Sequence, residues 1–141
     1  MVILKFLFFF LIVTSFAWGQ KLVFIVNSSN TVSRISHDQL QDFYFKRNRT
    51  WPNGLPIRFF DRSDGTEIRK SFLTNILKKT SRQVDQFWIG QKLYTGDSAP
   101  TKVSTRSLVI SLVARFPGGI GYISEGAALT DGVKVIEVTE L

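Results

Sequence analysis

DRSDGTEIRKSF, residues 61–72, decides how this chain is read. It leaves an apolar, strand-like segment (Ile57, Phe59, Phe60), crosses a polar turn and enters an amphipathic helix. The first amides of a helix lack internal partners and lie at the positive end of its dipole, so an oxyanion held there is stabilised by backbone alone. Arg62 adds a planar fork that can grip an oxyanion through two bonds. Asp64 is placed to orient that guanidinium, and Gly65 tolerates the backbone angles of a tight turn. Thr66 brings a hydroxyl that can donate to a ligand or cap the helix. Arg62, Ser63, Asp64, Gly65 and Thr66 together make half of a candidate oxyanion site. The competing reading is that Asp64 only caps a surface helix while Arg62 is solvated.

Upstream of this turn, LVFIV (residues 22–26) is a β-branched and aromatic run of the kind buried in a sheet, ended by Asn27, Ser28, Ser29 and Asn30. Ser36 followed by Gln39 forms a capping box ahead of Leu40, Phe43 and Tyr44, which predicts a helix over about 38–47. WPNG (51–54) is a turn, and IRFF (57–60) the strand that feeds the site. Downstream, Ile68, Phe72, Leu73, Ile76 and Leu77 form one buried helical face, and Val84, Phe87 and Trp88 that of a helix over about 81–92. Residues 94–105 read as a long polar loop, followed by a helix burying Leu108, Val109, Leu112, Val113 and Phe116 and stopped by PGG at 117–119. GYI (121–123) and VKVIEV (133–138) read as two more strands. Strands alternate with helices, so the expected class is α/β, with a central sheet flanked by helices.

Residues 1–19 carry one early cation, Lys5, an apolar run from Phe6 to Val13, and small residues at 17 and 19. This is the pattern of a cleaved signal peptide, and its apolar run is short for a bilayer span. A single exported domain over residues 20–141, located in the periplasm, is the expectation. The chain has no cysteine, which removes both a disulfide framework and a thiolate metal site and leaves the hydrophobic core to hold the fold. Without the leader, 17 basic residues face 11 acidic ones, a net charge of +6 that favours an acidic partner. The cations run from Lys21 to Lys134 without massing in one tract, and with export this argues against nucleic acid.

No motif gives His37 a nucleophile or acid to work with, so it is read as a surface or capping residue. The acids Asp38, Asp42, Asp61, Asp64, Asp85 and Asp97 are scattered without the alternation of a calcium loop, so no metal is expected. Phe43, Tyr44, Phe45, Phe87 and Trp88 fit core packing better than base stacking. No nucleotide loop, nucleophile elbow or paired-carboxylate pattern is present, so neither catalytic residues nor a cofactor are assigned.

Taken in order, NSSNTVSRIS, LQDFYFKRNRTWPNGLPI, DRSDGTEIRKSF and FPGGIGYIS resemble the second lobe of the periplasmic phosphate-binding proteins of ABC transporters. WPNG, RSDGT and PGGIGY carry the resemblance most specifically. It implies one lobe of a type II periplasmic-binding-protein fold, in which phosphate sits between two α/β lobes and an R-S-D-G-S-G-T turn supplies donors. Arg62, Ser63, Asp64 and Gly65 match that turn, and Thr66 replaces its serine while keeping the hydroxyl. Glu67 stands where the family has glycine and Ile68 where it has threonine, which brings in a repelling carboxylate and removes a donor. The resemblance thus implies a non-enzymatic protein that binds inorganic phosphate or another oxyanion weakly. The alternative is a module that keeps the lobe and uses its open face for a periplasmic or membrane protein partner. Arg69 is read as solvated, with a role as an additional cation at the site as the alternative. An enzyme acting on phosphate esters lacks any nucleophile and base in the sequence.

Overall fold

Along LVFIVN, successive side chains point to opposite faces of a sheet, and both faces are covered, which makes β1 (Leu22–Asn27) a central strand. A computed structural model describes residues 21–126 and 128–140, so the leader read over residues 1–19 lies outside the described residues. Five further strands complete one sheet: β2 (Arg34–Ser36), β3 (Arg58–Arg62), β4 (Thr101–Val103), β5 (Gly119–Ser124) and β6 (Val133–Thr139), in the order β2-β6-β1-β5-β3-β4. β1 runs antiparallel to β5 and β6, whereas β2 with β6 and β3 with both β4 and β5 are parallel.

Helix α1 (His37–Tyr44) starts at the expected capping box, with Ser36 accepting from the Gln39 amide and the Gln39 side chain accepting from the Ser36 amide. It ends short of the expected Arg47 because the chain turns left-handed at Lys46. The helix expected through Leu77 divides into α2 (Glu67–Phe72) and a π-helical turn, Leu73–Leu77, closed by Lys78 in a left-handed conformation. α3 (Ser81–Tyr94) buries Val84 and Trp88, with Phe87 half-buried. α4 (Arg106–Arg115) buries Val109 and Val113 as expected, with Leu112 and Phe116 packed against the same core; Ile110 is buried where Leu108 was expected, and Leu108 is 45% exposed. Two short strands were not expected. β2 lies in the polar stretch before α1, and β4 lies inside the segment read as loop.

One face of the sheet packs Phe24, Val26, Ile120 and Tyr122 against α1, α2, the π turn and α3. The opposite face packs Ile25, Phe60 and Ile123 against α4. Gly121 sets the distance to α4, because a Cβ there would lie 2.7 Å from Val109 Cγ1. WPNG and PGGIGY meet in space: Trp51 Nε1 donates to the Gly118 carbonyl at 3.0 Å, and that carbonyl also accepts from the Arg58 amide at 3.0 Å. The start of β3 is thereby tied to the start of β5.

Candidate oxyanion site

The C-terminal end of β3 presents two buried ionic side chains in succession, Asp61 and Arg62. Asp61 is buried with every strong donor it needs. Its Oδ2 accepts from the Tyr44 hydroxyl at 2.9 Å and pairs with Arg69 Nε at 3.3 Å. Its Oδ1 accepts from the Arg62 amide at 2.7 Å and from the Tyr122 hydroxyl in a short hydrogen bond. Burial first, and then the Asp61 charge, pushes both tyrosines far above the ordinary phenol pKa. Arg69, read from sequence as solvated, is instead buried in this ion pair. α2 carries it inward, one turn after the site turn.

Arg62 is 8% exposed, and its Nε donates to the Val103 carbonyl of the neighbouring β4 at 3.3 Å. No carboxylate pairs with its guanidinium among the described residues. Burial pushes its pKa down, and the nearby Arg106 charge acts in the same direction, opposed by Tyr122 and Asp61. A guanidinium does not deprotonate in a protein, so the strain is carried as an unpaired positive charge.

Arg62 opens into a hollow of about 250 Å³ shared with Thr66, Glu67, Ile68, Arg106 and Ser124. Arg106 begins α4, whose cap is Thr105, and its Nη2 donates to Ser124 Oγ on β5. Thr66 caps α2, accepting from the Arg69 amide at 3.4 Å and donating to the Ser63 carbonyl at 2.8 Å. Its hydroxyl proton is therefore committed within the turn, and α2 has only 6 residues, so the helix end offers less than the sequence suggested. Gly65 takes the left-handed φ of +77° that the turn requires.

Asp64 does not orient Arg62. Its carboxylate instead lies 2.9 Å from Lys102 Nζ and 3.1 Å from Arg69 Nη1. The Lys102 hydrogen bond, ahead of the two cationic charges, holds it below the usual carboxylate range despite some desolvation. Of the five residues assigned from sequence, Arg62 and Thr66 line the hollow; Ser63, Asp64 and Gly65 form the turn beside it. Arg106 and Ser124 were missed. The available signal was a cation at the first position of a helix, where it opposes the macrodipole. Glu67 stands on the rim, paired with Lys70 at 3.1 Å. The site has the chemistry of anion binding: two guanidinium groups and a serine hydroxyl around an open hollow. Among the described residues there is no cluster of three or more His, Cys, Asp or Glu side chains that could hold a metal.

No family model and no curated protein sequence matches the chain. Solved structures do. An ABC-type phosphate transport receptor from Vibrio cholerae superposes with a TM-score of 0.64 at 22% identity, over 83% of this chain and 45% of that one. A putative phosphate ABC transporter substrate-binding protein with bound phosphate, from Clostridium perfringens, gives 0.65 at 22% identity, over 85% and 45%. PstS from Borrelia burgdorferi gives 0.64 at 20%, over 83% and 46%. The chain shares the α/β fold of part of each of these proteins. The chain spans less than half the length of each of these proteins, in keeping with one lobe of that fold. At these identities the likeness concerns the periplasmic-binding-protein lobe and its topology, and the binding chemistry has to be argued from the residues of this chain.

Proposed function

We propose that the protein is an exported, non-enzymatic oxyanion-binding protein, with inorganic phosphate as its reference ligand, bound weakly at Arg62 and Arg106. One observation carries the reading: Arg62 is buried without a carboxylate and faces a hollow that a second arginine also lines. A buried charge needs a counter-charge, and an oxyanion in the hollow supplies one with geometry suited to a guanidinium fork. The turn Arg62, Ser63, Asp64, Gly65 and Thr66 serves as scaffold, with Arg62 as the binding group, and Ser124 adds a hydroxyl. Weak binding follows from Glu67 on the rim and from the openness of a single lobe, since enclosure strengthens each hydrogen bond by excluding water. The leader-like residues 1–19 support export and a periplasmic location. Nucleic acid is not the partner, because the cations do not form a tract.

Isothermal titration of the purified protein with phosphate, and with sulfate at matched ionic strength, tests this. Saturable heat that vanishes in Arg62→Ala and falls in Arg106→Ala is the expected result. Heat unchanged in both variants, or no heat from either anion, overturns the site.

A further inference from the structure

The outer side of α3 is more apolar than a surface helix needs to be. Ile89 is 62% exposed, Leu93 78% and Tyr94 90%. Ile89 and Leu93 form one wall of a groove of about 680 Å³ floored by Val84, Trp88 and Ala99. Apolar surface gathered in this way marks an interaction site. Trp88, which floors the groove, also holds the one buried side-chain polar atom without a hydrogen-bond partner among the described residues, its indole Nε1, which is itself withdrawn from the surface.

Charge selects the occupant. Lys46 Nζ sits 5.6 Å from the Trp88 ring centroid and donates to the Ser98 carbonyl. Lys92, on the groove rim, donates to Ser98 Oγ at 3.1 Å. Neither lysine forms an ion pair among the described residues. Lys102 adds another cation on the rim and the buried Arg69 lies beneath it, both already shared with Asp61 and Asp64, and Asp85 is the one further acid lining the groove. A second copy of the exported chain would bring the same cations and its net charge of +6, so like charges would meet. A small apolar molecule needs enclosure that an exposed helix face does not give.

We infer that this groove docks an acidic, apolar polypeptide segment of a partner protein, its apolar side chains against Ile89, Leu93 and Trp88 and its carboxylates toward Lys46 and Lys92. Ile89 and Leu93 are one helical turn apart and therefore present adjacent anchors. Rim charges of this kind speed encounter and fix orientation, while the apolar anchors supply the affinity. The groove and the oxyanion hollow share no lining residue: Lys102 and Arg69, which hold Asp64, line the groove, and Arg62 and Thr66 line the hollow. The two sites are therefore separable by mutation.

Selection of displayed random dodecapeptides on the purified protein, with affinities of the synthesised winners measured by Trp fluorescence, tests the inference. The expected winners combine Asp or Glu with Leu, Ile, Phe or Trp. Their affinity should fall by about tenfold or more in Leu93→Ser, in Ile89→Ser and in Lys92→Glu, as for anchors at an interface. It should not change in Arg62→Ala. Winners that are basic or show no charge preference, an empty selection, or binding unchanged in Leu93→Ser and Ile89→Ser would overturn it. So would a dimer in sedimentation velocity that Leu93→Ser dissolves, or co-sedimentation with phosphatidylglycerol vesicles that the same variant abolishes.

Discussion

Arg69 Nε lies 3.3 Å from Asp61 Oδ2, and both side chains are almost fully withdrawn from water. The contact closes a loop of chain between the end of β3 and the first turns of α2, with the 63–66 turn as its bend. Tyr44 from α1 and Tyr122 from β5 donate to the same carboxylate, so four elements meet on Asp61. Arg62 follows directly in the chain and gives its amide to Asp61, which makes this cluster the brace that sets where the candidate binding guanidinium points.

Breaking the brace at one end should be costly, because the other end is left as an uncompensated buried charge. Asp61→Asn is expected to lower the unfolding free energy by about 3–5 kcal/mol. Arg69→Met should cost less than Asp61→Asn, since Asp61 keeps three other donors while Arg69 would otherwise rely on the exposed Asp64. Urea unfolding at neutral pH measures both. A loss under about 1 kcal/mol for Asp61→Asn, the scale of an exposed pair, would mean that the cluster does not brace the fold.

The two tyrosines give the fold an alkaline limit. In the unfolded chain they ionise near pH ~10. In the folded protein burial and the adjacent Asp61 carboxylate keep them protonated well above that. Their folded pKa is raised, so their contribution is complete below the unfolded pKa and is lost as pH rises beyond it. Unfolding free energy is therefore expected to fall steeply from about pH 10 upward. Tyr122→Phe should make that fall shallower while costing about 1–3 kcal/mol at pH 7, where Asp61 loses a donor. Urea midpoints at pH 7, 9 and 10.5 would show it, and an unchanged slope in Tyr122→Phe would refute the assignment.

Much of this fold is legible in the chain because its strongest signals are local. The Ser36–Gln39 capping box, the continuous apolar β1 and the glycine-rich entry to β5 each act within a few residues, and each lies where the pattern puts it. β4 was not legible, since three residues at a sheet edge are made a strand by pairing with β3 rather than by their own composition. One position of α4 was misread, because Leu108 and Ile110 are equally apolar and the sheet surface beneath the helix decides which is covered. In the candidate site, Arg62 and Thr66 could be read from one turn. Arg106 and Ser124 reach the same hollow from 40 or more residues further along the chain, and no local pattern reports that.

Two glycines of PGGIGY should differ in what an added methyl does. At Gly118 a Cβ would fall 1.8 Å from the Pro56 carbonyl oxygen, a backbone atom. Gly118→Ala must therefore push apart the β3 and β5 entries and weaken the bonds from Trp51 Nε1 and the Arg58 amide, for a loss of about 2–4 kcal/mol. At Gly121 the clash is with Val109 Cγ1, a side chain that can shift with α4, so Gly121→Ala should cost about 1–3 kcal/mol. Thermal unfolding ranks the pair, and equal losses would contradict the WPNG–PGGIGY junction.

Glu67 separates stability from binding. Its carboxylate stands on the rim of the hollow that Arg62 and Arg106 share, and it also occupies the first turn of α2 and pairs with Lys70. For the helix it is favourable, since an acid near the N-terminus meets the positive end of the dipole and the i,i+3 pair adds to it. Toward an oxyanion in the hollow it repels. Glu67→Gln is thus expected to move two measurements in opposite directions: unfolding free energy down by about 0.3–1 kcal/mol, and phosphate affinity up by roughly two- to fivefold. Because the carboxylate is exposed, the gain in affinity should shrink as salt is raised past 0.5 M. Chemical denaturation and calorimetric titration on the same preparation test this. If affinity falls along with stability, Glu67 is holding the ligand through the geometry of the turn rather than repelling it.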